Sequence, residues 1–142
     1  MTRLAQYGAT KDKNTKSPLS SFSVAGAWCR DADGDTMAPG AMHTVGVNGY
    51  AVKFSPFNPT RVAISASQNF GIIGNGAQIV ADYDPLTGAL VEIQRFHTRD
   101  GLYDCAWSEA HENVLVSVSG DGSVKVWDVA APPAANPLRS FH

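Results

Sequence analysis

The 142-residue chain has little of what marks the specialised classes of protein. Its two cysteines, Cys29 and Cys105, are too few for a disulfide framework or a thiolate metal site, so a reducing compartment is the expectation. Neither charge sign dominates: 11 Lys+Arg face 13 Asp+Glu, a formal net charge of −2. With no basic run, the electrostatic footprint of a nucleic-acid binder is missing, and no nucleic-acid partner is expected. No apolar stretch is long enough to cross a bilayer as a helix, so membrane insertion is not expected either. Glycine-rich phosphate loops and paired zinc-ligand spacings do not occur.

What the chain does have is unevenly spread. Residues 1–42 hold three of its Val, Ile and Leu residues (Leu4, Leu19 and Val24), and the remaining 100 hold 22. Cores are built from such residues, so residues 1–42 are expected to be mostly disordered and 43–142 to carry the fold. Lys11, Lys13 and Lys16 before an apolar stretch resemble the start of a secretory signal, but Ser20, Ser21 and Ser23 interrupt that stretch. The basic, Ser-containing front also resembles a transit peptide, against which Asp12 and the later acidic cluster count. Asp31, Asp33 and Asp35 have the spacing of a calcium loop. Thr36 stands where such a loop needs Gly, however, and Met42 where it needs its bidentate Glu. A solvated acidic loop is the better reading.

From Gly49 onward short apolar runs alternate with turn residues, the pattern of an all-β chain. The expected strands are Tyr50–Ser55, Arg61–Ser67, Gln78–Tyr83, Leu90–Phe96, Leu102–Ser108, Asn113–Ser119, Ser123–Asp128 and the beginning of one at Leu138–Phe141. Between them lie Pro56 and Pro59, Pro85 to Gly88, Glu109 to Glu112, and Gly120 to Gly122, each supplying residues suited to turns. The runs also repeat in order. Tyr50–Ser55 overlays Tyr103–Ser108 at an offset of 53, and Arg61–Ser67 overlays Asn113–Ser119. Ile79–Asp84 overlays Ser123–Asp128 at an offset of 44, with the difference taken up mainly by a longer loop, Gln68–Gly76.

Four-strand units of about this length, with a third strand ending in aromatic–Asp, are the signature of WD-repeat propeller blades. The second unit, about residues 100–142, shows it most clearly in Ser119-Gly120-Asp121-Gly122-Ser123-Val124-Lys125-Val126-Trp127-Asp128. Gly120 and Gly122 permit the tight turn, and Asp121 can accept hydrogen bonds from turn amides. The Trp127 ring is expected to fill the space between blades, with its N–H on Ser117 or Ser119 and the link continuing to Asp121. In the first unit, about residues 48–96, Tyr83-Asp84 is expected to stand in for Trp127-Asp128. The turn Asp is absent there, and the usual Gly-His dipeptide is reduced to a lone His97. The roles of Ser117, Ser119, Asp121, Trp127, Asp128, Tyr83 and Asp84 are read as structural.

The stretches Asn48–Phe57, Ser67–Gly76, Asp100–Glu109 and Asn136–Phe141 are similar to the peroxin-7 family, WD-repeat receptors for the type-2 peroxisomal targeting signal. The similarity runs from about Thr44 to His142. It implies a partial β-propeller of about two four-stranded blades and a non-enzymatic import receptor for proteins with that N-terminal signal. It also implies no cofactor, a co-receptor of the peroxin-5 class, and shuttling between cytosol and peroxisome. Such rings have seven blades, so the chain is expected to be a truncated product, marginally folded alone and weak in binding cargo. The alternatives are a generic WD-repeat interaction scaffold and an inactive truncated product.

Propellers bind ligands on inter-strand loops, and the targeting helix that the resemblance implies carries basic and leucine-type anchors. Acidic and aromatic loop residues should meet it: Tyr50, Phe70, Asp100, Tyr103 and Asp104 are the candidates. Because Tyr50 and Tyr103 occupy equivalent places in the two units, blade packing is the alternative for them. An enzyme built on Cys105 with His97 or His111 is not expected. Cys105 falls in a strand at a core position, and His111 falls in a turn beside Glu109 and Glu112.

Overall fold

A computed structural model of the chain describes residues 21–22, 42–44 and 46–142. The disorder expected of residues 1–42 therefore concerns positions outside that set, apart from 21, 22 and 42. Cys29 and the Asp31, Asp33 and Asp35 run also lie outside it. A two-residue pair, β1 (Ser21–Phe22) with β2 (Met42–His43), precedes eight further strands. These are β3 (Asn48–Phe54), β4 (Arg61–Ser67), β5 (Gly76–Asp84), β6 (Ala89–Thr98), β7 (Leu102–Trp107), β8 (Val114–Ser119), β9 (Val124–Asp128) and β10 (Arg139–Phe141). All eight expected strands are present, with no end moved by more than two residues. They form two antiparallel four-stranded meanders, β3-β4-β5-β6 and β7-β8-β9-β10, the arrangement of two successive WD-repeat blades. The helical content among the described residues is two 3-10 turns, Gln68–Gly71 and Pro133–Ala135.

Turn chemistry repeats along with the strands. After β3, the Ser55 hydroxyl accepts the Phe57 and Asn58 N–H groups at 3.2 Å each. After β7, Ser108 does the same for Ala110 and His111 at 3.1 Å. Such local side-chain acceptors offer the backbone a turn in place of a continued ladder. The third strand of each meander ends on an Asp whose Oδ1 accepts the N–H two residues on: Leu86 for Asp84 and Ala130 for Asp128, both at 2.9 Å.

The ladders correct the overlay of the two units. Ser55 N–H donates to the Arg61 carbonyl and Ser108 N–H to that of Val114, both at 2.9 Å. Arg61 therefore corresponds to Val114, one residue beyond the Asn113 assigned from sequence. Side chains alternate between faces along a strand, so that single residue exchanges the two faces of β4 in the comparison. The third strand slips by two. Arg61 pairs with Asp82 and Val114 with Asp128, while Tyr83 N–H donates to Thr60 and Val129 N–H to Asn113, both at 2.8 Å. Ala81-Asp82, and not Tyr83-Asp84, thus occupy the places of Trp127-Asp128. A two-residue slip keeps every side chain on its face, which is why alternation in the sequence cannot reveal it.

With the register set, each meander has a back face toward the preceding side of the repeat and a front face toward the following one. The front of the first sheet packs on the back of the second: Ala63, Val80 and Phe96 meet Leu102, Cys105, Leu115 and Trp127. Phe96 and Trp127 stack with centroids 5.1 Å apart and planes 16° from parallel. Polar ties cross the same junction. Trp107 Nε1–H donates to the Lys53 carbonyl at 3.0 Å, and Gln94 Nε2 to that of Ala131 at 3.2 Å. Within the junction, Ser65 donates to Gln78 Oε1 at 3.0 Å and Gln78 Nε2 to the Ile64 carbonyl at 3.1 Å, so the buried amide is satisfied.

Candidate functional site

The loops after β4, β6 and β8 lie at one end of both sheets, and the strands β3 and β7 begin there. Each of those two strands carries a β-bulge at the same place. Tyr50 is the extra residue between Gly49 and Ala51, and Tyr103 between Leu102 and Asp104. A bulge bends the strand and re-aims the side chain. Here two bulges bring two exposed tyrosines edge-to-face, with ring centroids 5.3 Å apart and planes at 84°. Sequence equivalence had suggested blade packing for this pair. They do pack, but against each other across the two sheets at the exposed rim.

Over the tyrosines sits the 3-10 turn Gln68–Gly71, whose backbone carries Phe70. Tyr103 Oη donates to the Gly71 carbonyl at 3.4 Å. Gly71 has φ +75°, and a Cβ there would lie 2.8 Å from the Tyr103 hydroxyl and 3.2 Å from that of Tyr50. Both the left-handed backbone and the close approach require glycine. Asp100 completes the rim. Its Oδ1 accepts the Gly101 N–H at 2.7 Å, and the Gly101 carbonyl accepts from Gly120 N–H at 2.9 Å. A Cβ on Gly120 would come within 2.9 Å of that Asp100 oxygen and 3.1 Å of the Tyr103 ring.

The rim therefore gathers Tyr50, Asp100 and Tyr103 with the turn that bears Phe70. Asp104 is set apart from them. One of its oxygens accepts its neighbour's Cys105 N–H at 2.8 Å and lies 3.5 Å from Lys53 Nζ, so it ties β7 to β3. In the sequence Phe70 of this loop is a candidate contact, while Gly71 and the Ile72-Ile73 pair that follow it are not. The available signal was two adjacent isoleucines set between glycines in a loop, where solvated residues are the norm.

Behind the rim lie the structural residues. Trp127 Nε1–H donates to Ser117 Oγ at 2.8 Å, both fully buried. The link ends there. Asp121 Oδ1 instead accepts the Ser123 N–H at 2.9 Å and the Ser123 hydroxyl at 2.5 Å, and Oδ2 lies 3.1 Å from Lys125 Nζ. Ser123 holds the Asp121 carboxyl far below the usual carboxylate range, with Lys125 adding to the effect. Buried Ser119 Oγ makes no hydrogen bond of ordinary geometry, and it is the weakest of the groups acting on Asp121. The expected relay from Trp127 to Asp121 is thus two separate pairs, because the Ser117 hydroxyl faces the sheet junction while Asp121 closes on its own turn. In the first unit Asp82 pairs with Arg61 at 2.8 Å, which pushes the guanidinium up, and Asp84 is lowered by Thr87 and Leu86 in its hairpin turn.

Burial pushes the Cys105 thiol up, the reverse of what thiolate chemistry needs, and its Sγ points to the Ala63 carbonyl at 3.9 Å. His97 and His111 are exposed. At the opposite end of the sheets, His111 lines a shallow open cleft with Phe57, Glu112 and Asp128. Among the described residues no three His, Cys, Asp or Glu side chains are grouped to hold a metal ion.

No family model matches the chain. Individual proteins do. It is 50% identical over 94 residues to Peroxisome biogenesis protein 7 of Arabidopsis thaliana, covering 66% of this chain and 30% of that protein. It is 52% identical over 94 residues to the Peroxisomal targeting signal 2 receptor of Dictyostelium discoideum, covering 66% and 29%. The Homo sapiens receptor of the same name is 42% identical over 100 residues, covering 70% and 30%. The chain thus spans about 30% of the length of these relatives. At such identity over so long a stretch, the chain is a homologue, across about two thirds of its residues, of the peroxisomal targeting signal 2 receptors.

Proposed function

We propose that this chain supplies two adjacent blades, and with them part of the cargo-binding rim, of a receptor that carries proteins bearing a type-2 targeting signal into peroxisomes. The observation that carries this reading is the identity of 50% and 52% with relatives, the second of which is named for that receptor activity. The rim fits the role. Exposed aromatic rings held rigidly beside a carboxylate offer contact area at low ordering cost, as peptide-binding surfaces do. Tyr50, Phe70, Asp100, Tyr103 and Asp104 are the proposed contacts, with Asp104 shared between that role and its tie to Lys53. The chain acts as a binding module and not as an enzyme. A co-receptor of the peroxin-5 class and shuttling between cytosol and peroxisome belong to the same proposal.

The test is a chimera in which the matched 94 residues of this chain replace their counterpart in the Arabidopsis thaliana relative. It should retain a type-2 signal peptide, and not a scrambled one, in pull-down. Equal retention of the two peptides would end the receptor reading and favour a general interaction scaffold.

A further inference from the structure

We propose that Ile72 and Ile73 form a rigid apolar anchor on the rim, seating an apolar side chain of the bound signal peptide; this rests on the receptor reading above. The two residues are 81% and 68% exposed. Single exposed apolar residues are ordinary and need no explanation. Leu86, for instance, is exposed alone on the β5–β6 hairpin at the other end of the sheet. Ile72 and Ile73 differ in being adjacent to each other and in following directly on Gly71, where the tyrosine pair sits.

They also differ in how firmly their turn is held. Its base closes through Gln68 N–H to the Asn75 carbonyl at 2.9 Å, and Ile72 N–H donates to Asn69 at 3.1 Å. Asn75 N–H reaches the Arg99 carbonyl at 2.9 Å, which ties the turn to the β6–β7 loop. Tyr103 holds the Gly71 carbonyl, and Asn69, Gly71, Gly74 and Asn75 all have left-handed backbones, with φ of 48°, 75°, 30° and 37°. A loop meant only to connect β4 to β5 needs neither two β-branched apolar residues in water nor four hydrogen bonds holding their turn. A turn tied to its neighbours loses less backbone entropy on binding than a free loop, so more of the isoleucines' contact area converts to affinity. Tyr50 and Tyr103 are then positioning residues for the turn in addition to proposed contacts.

The test uses the chimera with the double substitution Ile72→Ser and Ile73→Ser, titrated with a fluorescently labelled type-2 signal peptide. Affinity should fall about tenfold or more, as at a binding hot spot, while the melting temperature stays that of the parent chimera. A peptide whose own apolar residues are changed to serine should lose much less affinity on the same double substitution, because contacting pairs are non-additive. Ile73→benzoyl-phenylalanine should photo-crosslink to the signal peptide. If the parent chimera binds but the double variant stays within about twofold of it, or no crosslink forms, the anchor is overturned and the receptor reading stands. If the parent itself does not distinguish signal from scrambled peptide, the receptor reading fails and the anchor with it.

Discussion

The two blades present the same strands with opposite solutions at corresponding faces. On the back of the first sheet, Val62, Ile64, Ala66, Ala77, Ile79 and Ala81 make a wholly apolar buried surface. On the back of the second, Ile64 is replaced by Ser117 and Ala81 by Trp127, and the indole is anchored by a hydrogen bond at 2.8 Å. The fronts differ in another way. Ala63, Ser65, Gln78 and Val80 of the first sheet are buried against the second, whereas Val118 and Val124 on the second sheet's front are 43% and 37% exposed. The two front faces thus differ in burial because one has a sheet packed on it among the described residues and the other does not. A blade is half of two interfaces.

The sharpest way to break this comparison is Trp127→Ala. It removes the Phe96 stack and leaves Ser117 without its donor in the one junction the two blades share, and should cost about 3–5 kcal/mol in urea unfolding followed by circular dichroism. A cost below about 1 kcal/mol would mean that the junction does not depend on the indole. A matched pair of truncations comes next. Ile79→Ala, at a fully buried site, should cost about 2–5 kcal/mol, and Val124→Ala less than about 1 kcal/mol. Equal costs would show the second sheet's front to be covered in solution.

Acid should affect the second blade's β8–β9 turn more strongly than the first blade's β5–β6 turn, where Asp84 is lowered less. The Asp121 carboxyl is held below its ordinary value in the fold. Its stabilising contribution is therefore complete above the ordinary carboxylate range near pH 4 and disappears as pH falls through the lower folded value. Asp121→Asn should flatten that acid limb of the thermal-stability curve, and an unchanged limb would assign it to other carboxylates. The smallest effect on stability belongs to Val118→Asp with Val124→Asp. These should leave the far-ultraviolet spectrum unchanged and shift stability by no more than about 0.5 kcal/mol each. They should also reduce dye binding and self-association in sedimentation velocity, since they place charge on the open apolar face.

Much of this was legible in the linear chain because it is local. Ser55 and Ser108 close their turns with their own hydroxyls, Asp84 and Asp128 end their strands in the same way, and Gly120 and Gly122 mark the tight β8–β9 turn. The rim was half legible. Tyr50 and Tyr103 stood out as equivalents, but a bulge leaves no mark in an alternating pattern, so their approach to each other and to Gly71 could not be read. Phe70 drew notice to the anchoring turn, but Ile72 and Ile73 did not stand out, because the turn's ties run to Arg99 and Tyr103, 24 and 32 residues further along the chain.

Alternation with period two, turn residues and the Trp127-Asp128 ending were sufficient to establish an all-β repeat and its strand count, since each depends on neighbours within a few positions. Register was beyond their reach. Moving β4 by one residue or β5 by two leaves composition and turns intact, and the choice is made by hydrogen bonds between strands that meet only on folding. Those bonds put Ala81 where an aromatic was expected, while hydrogen bonds within and between loops closed Asp121 on Ser123 and held Ile72 and Ile73 at the rim.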